Sequence, residues 1–310
     1  MNRRELTRLL GAGVLSTAIG PRFAWAAAAA PEVSITMDDF NFRNAPDEAT
    51  ATKRNDAILA AFRDHAIKAA IFVCGNNVDT AFGQRLLKRW NDAGHIICNH
   101  TWSHRNYANS DFAAYSADFL RCDAMIKAYP QSRRLFRFPY LKEGDTAEHR
   151  DRMRAFLAEH QYKNGAVTID ASDWYIDDRI NKRLGLDPKA DTRGFRDYYL
   201  AHIKDRSVFY DDVSRRALGR SVKHTLLVHH NVLNGRYLAD VLDQYKRMGW
   251  KLVNAEDAYT DPVFNEQPTV LPAGDSLVLA LAIQSGKMQR PRWPSENGDY
   301  EAPAMDRLGL

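Results

Sequence analysis

Val33-Ser34-Ile35-Thr36-Met37-Asp38-Asp39 is a short apolar run that ends on two adjacent carboxylates. A run of this length without helical spacing predicts a buried strand. The unit then repeats along the chain. Asn55 to His65 predicts a helix, Ala69-Ala70-Ile71-Phe72-Val73 a second strand, and Ala81 to Ala93 a helix that stops at Gly94. His95 to Cys98, Leu135 to Phe138, Ala166 to Ile169, Thr225 to Val228 and Lys251 to Val253 predict further strands. Asp111 to Tyr129, Ala147 to His160 and Tyr237 to Met248 predict the remaining helices. Alternation of this regularity implies an α/β fold whose parallel sheet is closed, or nearly closed, into a barrel. At 310 residues and 45% hydrophobic composition, the chain can bury one large core of that kind.

Two segments break the rhythm. Residues 175–223 are charged and helical in pattern, and read as an insertion between two strands. From Asp261 onward the chain is rich in proline and aromatics, including Trp293-Pro294 and Tyr300, and reads as a tail that wraps the barrel. The expected organisation is a leader over 1–26, a single barrel domain over 27–260 and the tail over 261–310. In the leader, Asn2-Arg3-Arg4-Glu5-Leu6-Thr7-Arg8 precedes an apolar run from Leu9 to Ile19, and Ala24-Trp25-Ala26 supplies a small-x-small cleavage site. That order is a twin-arginine-type signal peptide, so the expectation is export to the periplasm or beyond by that route. The apolar run is too short for a stable membrane anchor. Without the leader the formal net charge falls from +4 to +1, and no basic run points to a nucleic-acid partner. Cys74, Cys98 and Cys122 lack metal or redox spacing and read as core thiols, with one disulfide left open. The oligomeric state is open as well.

Every polar cluster follows one of the predicted strands: Asp38-Asp39, His100 to His104, Pro139-Tyr140, Asp170 to Trp174, and His229-His230. In a parallel barrel those strand ends form the active site. His100 and His104, at i and i+4, would share one face of a helix or helical turn and could hold one metal. A carboxylate from a distant strand end would complete a site of two histidines and one carboxylate with room for water. That is a catalytic rather than a structural layout. Asp38 and Asp39 cannot point the same way on an extended backbone, so one is expected on the metal and the other as a proton acceptor. Thr101 stands where a HExxH metalloprotease needs glutamate, which argues against a peptidase.

Thr36-Met37-Asp38-Asp39, His100-Thr101-Trp102-Ser103-His104, Arg137-Phe138-Pro139-Tyr140, Asp170-Ala171-Ser172-Asp173-Trp174 and Leu227-Val228-His229 stand in the order of five motifs. The chain thereby resembles the NodB-homology polysaccharide deacetylases, the carbohydrate esterase family 4 type, from about Val33 to Ala258. The resemblance implies a distorted (β/α) barrel and a hydrolase that removes acetyl groups from N-acetylated sugar polymers. It implies that Asp39, His100 and His104 bind one divalent metal, usually zinc, and that hydroxide on the metal attacks the acetyl carbonyl. Asp38 would be the general base, held by Arg137. His229 would be the general acid, with Asp173 fixing its tautomer. Tyr140 would offer its backbone N–H to the oxyanion, and Trp174 and Trp102 would wall the acetyl methyl. Two positions depart from the pattern. Phe40 replaces the usual glycine after the Asp-Asp pair and is expected to reshape the rim, and His229-His230-Asn231 replaces Leu-His-Asp, leaving His230 as a structural neighbour. An O-acetyl esterase, a small-amide or imide hydrolase and, last, a noncatalytic sugar-binding module are the alternatives.

Overall fold

The computed structural model describes residues 29–42, 45–289 and 298–310; the leader and Trp293-Pro294 lie outside them. Glu32–Asp39 forms the central strand β1, buried from Val33 to Asp38. Then follow α1 (Glu48–Asp64), β2 (Ala70–Val73), α2 (Ala81–Asp92), β3 (Ile96–Asn99), α3 (Phe112–Ile126), β4 (Ser132–Phe136), α4 (Ala147–Glu159) and β5 (Lys163–Asn164). The second half contains α5 (Asp173–Leu186), α6 (Arg193–Leu218), β6 (Lys223–His229), α7 (Val232–Arg247), β7 (Lys251–Leu252), α8 (Ala255–Ala258), α9 (Leu277–Gln284) and α10 (Ala302–Arg307). Helix starts are set by side chains that satisfy the first free amides. Asp47, Thr80, Asp111, Thr146 and Asn231 cap α1, α2, α3, α4 and α7 in turn. The Asp47 cap starts α1 seven residues before the predicted Asn55, over a polar stretch that has no apolar period.

The strands pair in parallel in the order β5-β4-β3-β2-β1-β6, with β7 beside the start of β1. Residues 163–169 then close the curl: β5 pairs with β4, and Ile169 bridges Leu226 of β6. The fold is a distorted (β/α) barrel. The expected regular strand Ala166–Ile169 is not one. Thr168 and Ile169 both donate their amides to the Thr225 carbonyl, which breaks the ladder and leaves one bridge. Inside the barrel lies Arg137, wholly buried, its guanidinium 3.9 Å from the centre of the Phe72 ring.

The insertion is the helical pair α5 and α6, with α6 against α7 and α9. The tail packs on the barrel. Ala273 pairs with Gly144, Leu277 donates to the Val167 carbonyl, and Met305 of α10 is buried. All three cysteines are free and buried. Among the described residues no helix is long and apolar enough to cross a membrane.

Candidate metal centre and catalytic cleft

The five polar clusters meet at the carboxyl ends of the strands around a cleft of about 470 Å³ lined by Asp38, Asp39, His100, His104, Tyr140, Asp170, Trp174 and His229, among others. Asp39 Oδ1 lies 3.3 Å from His104 Nε2 and 3.5 Å from His100 Nε2. Atoms bound to one zinc at about 2.0–2.1 Å in tetrahedral geometry lie about 3.3 Å apart, so these three donors fit a zinc-sized divalent ion. His100 Nδ1 lies 2.8 Å from the Arg137 carbonyl; with the proton on Nδ1, it donates there and Nε2 keeps its lone pair. Burial pushes His104 down to about 4, leaving its ring neutral near pH 7. Burial alone would raise the Asp39 carboxyl, but His104 and His100, with His229 beyond them, hold it well below the ordinary carboxylate range.

Two local expectations fail, for backbone reasons. His100 and His104 do not sit on a helical turn but on a loop after β3, with Thr101 and His104 in the left-handed region at φ 65° and 57°. The loop is held by side chains. Thr101 donates its amide to Asn99 Oδ1, and Trp102 and Ser103 donate theirs to Asp118 of α3, each at 2.9 Å for the latter pair. The adjacent carboxylates also reach the same place. Asp39 leaves β1 at φ 73°, so Asp39 Oδ1 and Asp38 Oδ2 lie 3.5 and 3.7 Å from His100 Nε2.

Their surroundings nonetheless differ. Asp38 Oδ1 accepts from Arg137 at 2.6 Å, and that guanidinium also donates to Thr36, Gly165 and Tyr259. Asp39 faces the histidines. Its Oδ1 is also 3.8 Å from Cys74 Sγ, so Cys74 joins Asp39, His100 and His104 as a group of donors within 4.8 Å of one another. Burial, with the neighbouring Asp39 carboxylate, pushes the Cys74 thiol well up.

Opposite this cluster stands His229. Its Nδ1 is 2.8 Å from Asp173 Oδ1, and its backbone amide donates to Asp173 Oδ2. Asp173, fully buried at the start of α5, also accepts from Asn231 and Asn234. Burial alone would depress His229, but the Asp173 carboxylate carries it up to about 10, so the ring is cationic at neutral pH. His230 faces away, between Asn41 and Asn55, and burial pushes it down to about 4.

Tyr140 is 59% exposed, with its ring edge-on to His104, and both Tyr140 and Leu141 have left-handed backbones. Trp174 lines the cleft; Trp102 does not. The clamp to α3 turns the Trp102 ring against Gly75 and under Arg121, whose guanidinium lies 3.7 Å from the ring centre. Phe40 does not reshape the rim either: it is buried beneath it against Phe42, Trp90 and His230. Asp118, Asn234 and the tail residue Asp275, which lines the cleft, were not singled out from sequence. Only Asn234 had a local signal, three residues after the cap Asn231.

Residues 26–164, just under half of the chain, match the family model described as polysaccharide deacetylase. A peptidoglycan-N-acetylglucosamine deacetylase of Bacillus cereus is 26% identical over 144 residues, which span 46% of each chain. Among solved structures, a polysaccharide deacetylase from Bacillus cereus, Bc1974, aligns at TM-score 0.51 and 20% identity, covering 72% of this chain and 91% of its own. The Bc1960 peptidoglycan N-acetylglucosamine deacetylase aligns at TM-score 0.50 and 18% identity, covering 75% and 92%. The resemblance to the NodB-homology polysaccharide deacetylases therefore holds, with their barrel fold.

Proposed function

We propose that this chain is a metal-dependent hydrolase that removes acetyl groups from N-acetylated sugar polymers. The observation that carries this reading is the opposition, across one cleft, of the Asp39–His100–His104 donor set and the Asp173–His229 pair. A divalent metal bound by those three residues, zinc by the family resemblance, would act as a Lewis acid toward water and the acetyl carbonyl. Asp38, its orientation set by Arg137, takes the proton of the attacking water. The Tyr140 turn borders the carbonyl oxygen, and Trp174 packs beside the acetyl methyl. His229 delivers a proton to the departing nitrogen, and Asp173 keeps that proton on the ring until it is needed. A histidine held by Asp173 opposite the donor set favours the amide over the ester reading, because a nitrogen must be protonated to leave whereas an alkoxide can leave as the anion.

The test is acetate release from acetylated glucosamine polymers, O-acetylated polysaccharides and small amides, before and after chelation and zinc restoration. Zinc-dependent release from the N-acetylated polymers supports the reading. Release from O-acetyl substrates or small amides alone would replace it. Export by the twin-arginine route belongs to the same proposal, and rests on Arg3-Arg4 with Ala24-Trp25-Ala26. Arg3→Lys with Arg4→Lys should hold the active enzyme inside the cell; normal export of that double variant would sink it.

A further inference from the structure

Ser172 and Glu301 stand at helix starts, yet neither side chain caps its own helix. Ser172 precedes Asp173 at the start of α5; its carbonyl accepts from Tyr175, but its hydroxyl bonds to no amide of that helix. A serine in this place normally spends its hydroxyl on the first free amides. Glu301 precedes α10; its carbonyl accepts from Met305, and its carboxylate is likewise withheld from the helix. Ser172 Oγ and Glu301 Oε2 are buried with no hydrogen bond among the described residues, so each supplies what the other lacks. Burial pushes the Glu301 carboxyl up, and Arg206 and the Ser172 hydroxyl pull against it. Glu301 Oε1 accepts from Arg206 of α6 at 3.1 Å and lies 3.8 Å from His202 Nδ1. His202 carries the contact back to α5, because its Nε2 accepts the Ser172 amide at 3.0 Å. Burial pushes His202 down to about 3, so the ring is neutral, and its one proton stands on Nδ1, the nitrogen that faces Glu301. Glu301 thus reaches the residue before Asp173 by two routes, the Ser172 hydroxyl and, through His202, the Ser172 amide.

The tail keeps Glu301 in place by lying along α5. Asp306 of α10 accepts from Arg179 at 2.6 Å, the Leu310 and Gly309 main-chain oxygens accept from Arg179 and Arg183, and Met305 is wholly buried. A Cβ on Gly298 would sit 1.9 Å from the Tyr175 ring, so the tail fits closely against the first turn of α5. That turn begins with Asp173, which holds His229 Nδ1. None of Ser172, His202, Arg206 and Glu301 lines the cleft itself. From this arrangement we infer that Glu301 is a positioning residue for the acid: through Ser172 and His202 it fixes the first turn of α5, and so the Asp173 carboxylate that aims His229. This rests on the deacetylase reading above, which gives His229 the departing nitrogen.

The test pairs kinetics of the zinc-loaded enzyme with NMR of the low-field His229 Nδ1 proton, assigned by its absence in Asp173→Asn. The substrates are the tetramer of N-acetylglucosamine and an activated aryl acetate, whose phenolate leaves without a proton. Glu301→Gln keeps the shape and removes the charge, His202→Ala cuts the second route, and His202→Gln restores an acceptor for the Ser172 amide. Glu301→Gln and His202→Ala should each lower kcat on the tetramer by about tenfold or more, the scale of a small misplacement of a reacting group. KM, zinc content and aryl acetate hydrolysis should stay unchanged, and the His229 resonance should shift or broaden. His202→Gln should regain most of the tetramer activity. Equal losses on the two substrates would reduce the cluster to a structural support and overturn the inference. If Glu301→Gln does not fold, the two His202 variants decide: full tetramer activity in His202→Ala, or no recovery in His202→Gln, overturns it. A resonance displaced in Glu301→Gln, in a protein whose parent releases no acetate from the tetramer, would sink the deacetylase reading and leave the positioning role standing. Acetate release by the parent that Glu301→Gln and His202→Ala leave untouched, with the resonance unmoved, would do the reverse.

Discussion

At Asp38 and Asp39 the same side chain is repeated, and only the neighbours distinguish the two. One oxygen of Asp38 is committed to Arg137 inside the barrel, while Asp39 faces two imidazoles. Asp38→Asn should therefore retain about one metal per chain by elemental analysis while losing activity by roughly 10²–10⁴, the usual worth of a general base. Loss of metal in Asp38→Asn with retention in Asp39→Asn would reverse the two roles. The residues themselves were legible because each follows an apolar run; their mutual direction was not, since the alternation rule ends where Asp39 turns to φ 73°. His229 carries the second prediction at this scale. As a general acid it works protonated, so the alkaline limb of amide hydrolysis should lie above neutral pH, where pH rises through the ring's raised value, about 10. Asp173 is the chief upward influence, so Asp173→Asn should bring the alkaline limb down toward or below the ordinary histidine value of about 6.5. A pH–rate profile measures this directly, and an unmoved limb in Asp173→Asn would remove His229 as the acid.

Between residue and fold lie the elements that aim these side chains, and here the sequence was least explicit. The spacing of His100 and His104 suits a helix, yet the backbone that delivers them is a loop with two left-handed residues. What overrides the helix is a set of fixed acceptors: the Asn99 side chain for Thr101, and the Asp118 carboxylate for Trp102, Ser103 and the Ser103 hydroxyl. Asp118 lies on α3, sixteen residues beyond Trp102, where it looks like any polar residue of an amphipathic helix. No local pattern could have marked it. Asp118→Ala should leave the barrel folded but free the loop, and metal affinity should drop by about 10–100-fold, the usual cost of losing an outer-shell support. Titration with zinc against a competing chelator measures it; unchanged affinity would mean that the strand end alone positions His104. The polar start of α1 and the broken strand at Ala166–Ile169 were illegible for a related reason. A cap and a shared carbonyl are single hydrogen bonds, not periodic patterns.

Across the whole molecule, the alternation of apolar runs and helical segments was enough to read the barrel, because burial of a parallel sheet leaves a mark on every strand. The tail's part in the site was not readable. Gly274 lies so close to Leu141 that a Cβ there would sit 2.1 Å from the carbonyl oxygen, and this contact brings Asp275 to the cleft beside the Tyr140 turn. Such an approach depends on segments more than a hundred residues apart. The metal centre ties the molecule together over similar distances. Asp39 ends β1, His100 and His104 follow β3, and β2 lies between those two strands. An unfolded chain cannot hold these three donors together, so a metal that binds the native state adds its binding free energy to folding. At a free concentration of 100 times the dissociation constant that is about 2.7 kcal/mol. For a chain of 310 residues the thermal midpoint should rise by roughly 4 °C when zinc is restored to the chelated protein. The rise should persist in Asp38→Asn, whose carboxylate is engaged by Arg137, and vanish in His100→Ala. A rise of equal size in His100→Ala would place the stabilising zinc elsewhere on the protein and leave the Asp39–His100–His104 cluster without its metal.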